Sequence, residues 1–64
     1  MFMLFEIWAE DEDGRQELIE TTASETEAFK IAEQAIIDGA FASIVMKEDE
    51  YGDLNEVQRF EAEE

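Results

Sequence analysis

The first nine residues form the most hydrophobic stretch of the chain, with eight apolar residues among nine. They are rich in aromatic side chains and show no apolar stripe at helical spacing. The run is also shorter than the roughly 20 apolar residues that a bilayer-spanning helix needs. A run of this kind is typical of a strand buried on both faces, so we predict a first strand over about residues 2–10, in the interior of a sheet.

An acidic turn follows the first strand. Residues 10–13 are all carboxylic acids, and the next residue, Gly14, readily adopts a positive φ. A three-residue loop over 12–14 would pair Trp8 with Leu18 and Ile7 with Ile19, which matches apolar to apolar side chains on both faces. The second strand is therefore predicted over about residues 15–22.

A helix is predicted over residues 25–38. Ser24 and Glu27 have the spacing of a capping box, and Gly39 is the residue type that usually ends a helix. The apolar positions fall on one face, and their small size predicts close approach to a sheet; they are Ala28, Phe29, Ala32, Ala35 and Ile36.

The remaining residues predict a third strand over 40–47, an acidic turn over 48–53 and a fourth strand over 54–61. The handedness of the helical crossover then favours a four-stranded antiparallel sheet in the order 2-1-3-4. The fold class is α+β, with ββαββ connectivity in a single domain over residues 1–64 and the helix on one face. The other face would carry Leu4, Trp8 and Leu18, either as a dimer surface or shielded by long side chains, so we expect a monomer or a homodimer.

Charge narrows the possible partners. The chain carries 19 acidic and four basic residues, for a net charge of −15. That sign disfavours binding to nucleic acid or to an anionic membrane surface, and it favours a strongly basic protein partner. No basic residue precedes the apolar N-terminal run, so we predict no signal peptide and a cytoplasmic location.

Catalytic and metal chemistry have little support in the composition. The chain has no histidine and no cysteine, which removes the commonest general base and the commonest metal ligands. A chain of 64 residues is also too short to enclose a substrate pocket. Asp11, Asp13 and Glu20 match three positions of a calcium loop, but Ala9 occupies its first position and the flanks are strands. We therefore predict no enzymatic activity, no cofactor and no specific metal site.

The candidate partner-binding residues lie in the two acidic turns and on the helix: Glu10, Asp11, Glu12, Asp13, Glu48, Asp49, Glu50, Tyr51, Asp53, Glu27 and Glu33. We expect both turns at the same end of the sheet, which would concentrate about eight carboxylates along one edge. Duplex DNA carries one negative charge per about 1.7 Å of axis. A rigid edge of comparable charge density predicts binding to a protein groove built for a phosphate backbone.

A short, cysteine-free, Glu-rich chain with a small α+β core resembles the phage-borne inhibitors that act as DNA mimics, anti-CRISPR proteins among them. Residues 10–13 and 48–53 are matched to that class by their acidic character. The resemblance implies a stoichiometric inhibitor in a bacterial host. It would occupy the DNA channel of a nucleic-acid-binding protein such as a CRISPR–Cas effector subunit.

Two alternatives stay open. The order of elements at the start of the chain is similar to that of small antitoxins: a strand, an acidic turn and a strand, then a helix that starts with Thr26, Glu27 and Ala28. This resemblance implies a basic toxin as partner. The acidity is also compatible with a regulatory interaction module or with an accessory domain adapted to high salt.

Moderate salt is expected to raise the melting temperature. Raising the ionic strength from about 0.01 M to about 0.15 M shortens the Debye length from about 30 Å to about 8 Å. The repulsion among carboxylates is then screened, which favours the compact state. Thermal unfolding followed by circular dichroism measures the effect, and a melting temperature that does not change with salt would contradict a clustered acidic surface.

Overall fold

The computed structural model of the chain describes residues 3–39 and 41–62. The elements are β1 (Leu4–Glu10), β2 (Gln16–Thr22), α1 (Glu25–Asp38), β3 (Ser43–Glu50) and β4 (Asp53–Glu61). The strands form one open antiparallel sheet in the order β2-β1-β3-β4. The predicted α+β fold and strand order are therefore confirmed. The predicted strand starts at residues 2 and 40 lie outside the described residues.

The core lies between the helix and the two central strands. Ile7 of β1 and Ile44 and Met46 of β3 are fully buried against Ala28 and Ala32 of α1. Alanines at these helix positions let the helix backbone approach the sheet closely, because they add little side-chain volume between the layers. The predicted apolar face of the helix is thus the face that packs on the sheet.

β1 is buried on one face rather than on two. Phe5, Ile7 and Ala9 point into the core, whereas Leu4 is exposed and Trp8 is half-buried on the opposite face. Successive strand residues point to opposite faces, and the helix covers only one of them. The prediction of a strand buried on both faces is wrong for this reason, although the interior position of β1 in the sheet is correct.

The helix begins as the capping pattern predicts. The Glu27 N–H donates to the Ser24 Oγ at 3.3 Å. The Ser24 N–H donates to the Thr22 Oγ1 at 3.2 Å, in place of the Glu27 carboxylate that a complete capping box would use. Only the forward half of the predicted capping box is therefore formed.

Gly39 ends the helix for a steric reason. Its φ of −91° is extended, so the left-handed conformation usual for a terminal glycine is not used. Its N–H donates to the Ala35 carbonyl at 2.8 Å. A Cβ at this position would overlap the ring of Phe41 and would lie 2.6 Å from the Ala35 carbonyl oxygen. Glycine is required here because the Phe41 ring packs directly against the backbone.

The first hairpin follows the predicted loop but not the whole predicted register. The Asp11 N–H donates to the Arg15 carbonyl at 3.0 Å, which closes a loop over 12–14 with Gly14 at φ +84°. Trp8 lies opposite Leu18, as expected. Ile7 lies opposite Glu20, so its predicted pairing with Ile19 is wrong. A β-bulge inserts one additional residue into β2 between these two pairs.

The second hairpin turn is shorter than predicted. β3 continues to Glu50, which pairs with Asp53, and only Tyr51 and Gly52 connect the strands. Both residues have positive φ, at 52° and 86°, as a two-residue type I′ turn requires. The predicted turn over 48–53 is wrong because backbone pairing continues through the acidic residues, whose side chains reach solvent from the end of the hairpin.

Replacing Gly39 with alanine is expected to destabilise the fold by about 1–3 kcal/mol, the usual cost of forcing a methyl group into a filled space. The extended φ of Gly39 is itself accessible to alanine, so backbone strain does not contribute. Chemical denaturation of Gly39→Ala measures the loss. The cost should be smaller in a Phe41→Leu background, and an equal cost in both backgrounds would show that the Phe41 ring is not its cause.

Candidate partner-binding surface

The two acidic turns lie at opposite ends of the sheet. Leu4 at the start of β1 pairs with Asp49 at the end of β3, and Glu10 at the end of β1 pairs with Ser43 at the start of β3. The loop after β1 and the turn after β3 therefore point away from each other in a molecule that measures 39 × 22 × 15 Å. The expectation that both turns concentrate their carboxylates along one edge is wrong. Neighbouring antiparallel strands terminate at opposite ends of the sheet, so the turns that follow them are far apart.

The first acidic turn is held in place by Asp11. One oxygen of its carboxylate accepts hydrogen bonds from the N–H groups of Asp13 and Arg15, both at 2.9 Å. The Gly14 N–H also donates to the Asp11 carbonyl at 3.1 Å. These bonds fix the loop backbone, so Glu12 and Asp13 present exposed carboxylates from a defined position.

The second acidic turn is held in a similar way. The Asp49 Oδ1 accepts a hydrogen bond from the Gly52 N–H at 3.2 Å. Glu50 and Asp53 pair across the base of the turn and are both exposed. Tyr51 at the tip is 75% exposed and so lies outside the core, and its role in partner binding stays a prediction. The turn thus presents carboxylates and an aromatic ring from a short, closed hairpin end.

The other candidate residues lie apart from the turns. Glu27 and Glu33 are exposed on α1. Glu48 is half-buried on the side of the sheet that the helix covers, and Asp49 is half-buried on the other side. The eleven predicted residues are therefore divided among two ends and the helix surface, and no single surface contains them all.

The side of the sheet without the helix, here called the open face, carries the feature that sequence reasoning missed. Lys47 and Arg59 both lie there, since they pair with Glu6 and Val45 on that side. The Lys47 Nζ lies 4.6 Å from the centre of the Trp8 ring and donates to the Gln16 Oε1 at 2.7 Å. The Trp8 Nε1–H donates to the Glu6 Oε1 at 3.0 Å.

Arg59 forms the ion pairs on this face. Its Nη1 is 2.7 Å from the Glu10 Oε2, and its Nη2 is 3.0 Å from the Glu56 Oε1. Val45, which lies between Trp8 and Arg59 in the sheet, is fully buried. The centre of the open face is therefore shielded by long side chains, one of the two possibilities predicted for it. Strand alternation predicts Trp8 on this face, but its contact with Lys47 depends on a residue 39 positions away.

Glu10 has a structural role that its place in the acidic run did not predict. The hydrogen bond from Arg59 lowers the pKa of the Glu10 carboxyl, and a second hydrogen bond from Gln16 lowers it further. The hydrogen bonds that Arg59 donates to Glu10 and to Glu56 raise the pKa of Arg59. Glu10 is half-buried and paired within the fold, unlike the exposed carboxylates of Glu12 and Asp13 beside it.

Comparison with known proteins adds no assignment, because no family model, curated protein or solved structure matches this chain. Within residues 3–39 and 41–62, no helix is long and apolar enough to cross a membrane. In the same described ranges, no group of three or more carboxylates is placed to hold a metal ion. The inference about function therefore depends on the arrangement of charge and apolar surface.

Arg59→Gln is expected to destabilise the protein near neutral pH and to do so less as the pH falls. A carboxyl whose pKa is lowered by folding stabilises the fold above the pKa of the unfolded chain, about 4.3 for glutamate. That contribution disappears as the pH falls through the lowered pKa of Glu10. Urea unfolding at several pH values measures the difference between wild type and variant.

Lys30→Gln provides the matched control, since it removes the same charge from an exposed position on α1. Any general effect of the more negative net charge should be similar in the two variants. A destabilisation by Arg59→Gln that equals the control, or that stays constant on acidification, would contradict a stabilising Glu10–Arg59 pair.

Proposed function

We propose that this protein is a stoichiometric inhibitor that mimics nucleic acid and occupies the basic DNA-binding groove of its protein partner. The observation that carries the proposal is the presence of two backbone-fixed acidic turns at opposite ends of one 39 Å body. One turn of duplex DNA is about 34–36 Å long. A groove that accommodates slightly more than one helical turn is therefore long enough to contact both ends at once.

The distribution of cations supports this proposal. Among the described residues, ion pairs reach only Glu10 and Glu56, and a single side chain, Arg59, makes both. The exposed carboxylates of Glu12, Asp13, Glu50 and Asp53 have no such pairing. Carboxylates without a paired cation at both ends attract a cationic surface and release its bound counterions on binding.

A molecule with two acidic ends would contact a groove differently from one with a single acidic edge. A partner that contacts only one end would meet a small cluster of charges, whereas a groove that extends along the body meets both clusters and the helix carboxylates Glu27 and Glu33. The DNA channel of a CRISPR–Cas effector, or of a comparable host DNA-binding enzyme, is the class of groove that the acidic character implies. No catalysis is needed for such an activity.

Neutralising either end is expected to weaken binding of the partner by about five- to tenfold, as loss of two charge contacts would. The two test variants are Glu12→Gln with Asp13→Asn, and Glu50→Gln with Asp53→Asn. The control is Glu17→Gln with Glu20→Gln, which removes the same charge from the exposed edge strand β2. Affinity is measured by surface capture of partners from a nuclease-treated bacterial lysate.

The conditions that release the captured partner distinguish the candidate functions. A partner bound through its DNA groove should be released by a duplex of about 20 base pairs at constant ionic strength, because the two ligands compete for one site. A basic partner that salt releases but duplex DNA does not would instead indicate a toxin-neutralising or regulatory module. Equal retention by the control and by both end variants would contradict the proposal.

A further inference from the structure

We propose that the open face docks a cationic amphipathic segment of the partner protein, in which basic and apolar side chains alternate along one side. This inference rests on the proposed function and deepens it, because it names the part of a basic partner that contacts the sheet. It is carried by the exposed leucines of the open face and by the carboxylates that lie between them.

The open face exposes apolar side chains that the fold does not cover. Leu4 is 39% exposed, Leu18 is 44% exposed and Leu54 is 47% exposed. The central residue of the same face, Val45, is fully buried beneath its neighbours. The long side chains therefore cover the centre and leave the leucines on the flanks accessible to a partner.

The exposed side chains are arranged in rows across the strands. Leu18 lies opposite Trp8 in one row, and Leu4 and Leu54 both border Asp49 in another. Between these two rows, Lys47 lies between Glu6 and Glu56. Consecutive rows on one face are two residues apart, which is about 7 Å. Along β1 the open face thus reads apolar, acidic and apolar, with Trp8, Glu6 and Leu4 in turn, whereas Lys47 occupies the middle position along β3.

The order of apolar and acidic side chains on the open face indicates which kind of segment would bind there. An extended segment also presents every second side chain on one side, about 7 Å apart. If those side chains alternate between apolar and basic, a segment that lies along β1 places its apolar side chains against Trp8 and Leu4 and a basic side chain against Glu6. Apolar contact and charge pairing then act together, and the apolar contact persists when salt weakens the charge attraction.

A second copy of the chain is a poor occupant for this face. Both cations of the face are engaged within the fold, Lys47 with Gln16 and Trp8, and Arg59 with Glu10 and Glu56. Two such faces would place carboxylates opposite carboxylates without a cation to pair with them, in chains that each carry a net charge of −15. Like charges placed opposite one another disfavour association.

Two synthetic peptides test the inference directly on the wild-type protein. The first has about twelve residues, with lysine and leucine alternating at every second position and threonine between them. The second replaces each leucine with serine and keeps the charge. The chain has one tryptophan, Trp8, which lies on the open face, so its fluorescence reports binding. The leucine peptide is expected to bind at least about fivefold more tightly, as partial burial of apolar side chains would produce.

Substitutions of the exposed leucines test whether the peptide binds at the open face. Leu18→Ser combined with Leu54→Ser should remove the preference for the leucine peptide and leave affinity for the serine peptide unchanged. Ile37→Ser is the control, because Ile37 is 74% exposed on α1 and lies away from the open face. Thermal melts establish that each variant is folded, and the comparison of the two peptides on wild type needs no variant.

The outcomes distinguish this inference from the proposed function. If wild type binds both peptides equally, the docking inference is overturned while an acidic cation-binding surface remains supported. If neither peptide changes the Trp8 fluorescence at low salt, the docking inference is overturned, while the proposed function still depends on the outcome for the two end variants. If light scattering finds a dimer that the leucine substitutions dissociate, the open face belongs to a second copy, and the docking inference is likewise overturned.

Discussion

β1 and β3 lie side by side in opposite directions at the centre of the sheet, and the side chains that they direct toward the helix make up most of the core. Ile7, Ile44 and Met46 are fully buried there, and Ala28 and Ala32 bring the helix into contact with them. The edge strands β2 and β4 add no buried residue, and only Thr22, Arg59 and Phe60 in them are half-buried. Because every other element is attached to this pair, its antiparallel direction also determines where the acidic turns point.

The net charge of the molecule opposes folding, and the core that favours folding is small. A net charge of −15 favours expansion of the chain through repulsion, and only a limited apolar area opposes it. The fold places two of its four cations, Lys47 and Arg59, on the open face, where they shield Val45 and pair with nearby polar groups. The ends of the sheet therefore keep their carboxylates without internal neutralisation, which leaves them available to a basic partner.

Two kinds of surface follow from this arrangement, and in the proposed function they would contribute differently to recognition. The acidic turns would act at long range, since the field of carboxylates steers a cationic groove before contact. The open face would act at contact, since its leucines lose water only when another molecule covers them. The open face is also the surface that would give a nucleic-acid mimic its selectivity, because a field of charge alone attracts every basic groove alike.

Local patterns alone determined much of this protein: the α+β class, the strand order, the loop over 12–14, the start of the helix and the pairing of Trp8 with Leu18. The strand order follows from the elements together with the handedness of the helical crossover, and the other features depend on side-chain periodicity or turn chemistry within a few residues. Only the tertiary structure decided that the acidic turns lie at opposite ends, that strand pairing reaches Glu50, and that Gly39 gives room to Phe41. It likewise decided that Glu10 is held by Arg59. These features depend on strand direction, ladder hydrogen bonds and contacts between residues distant in the chain, which no local pattern specifies.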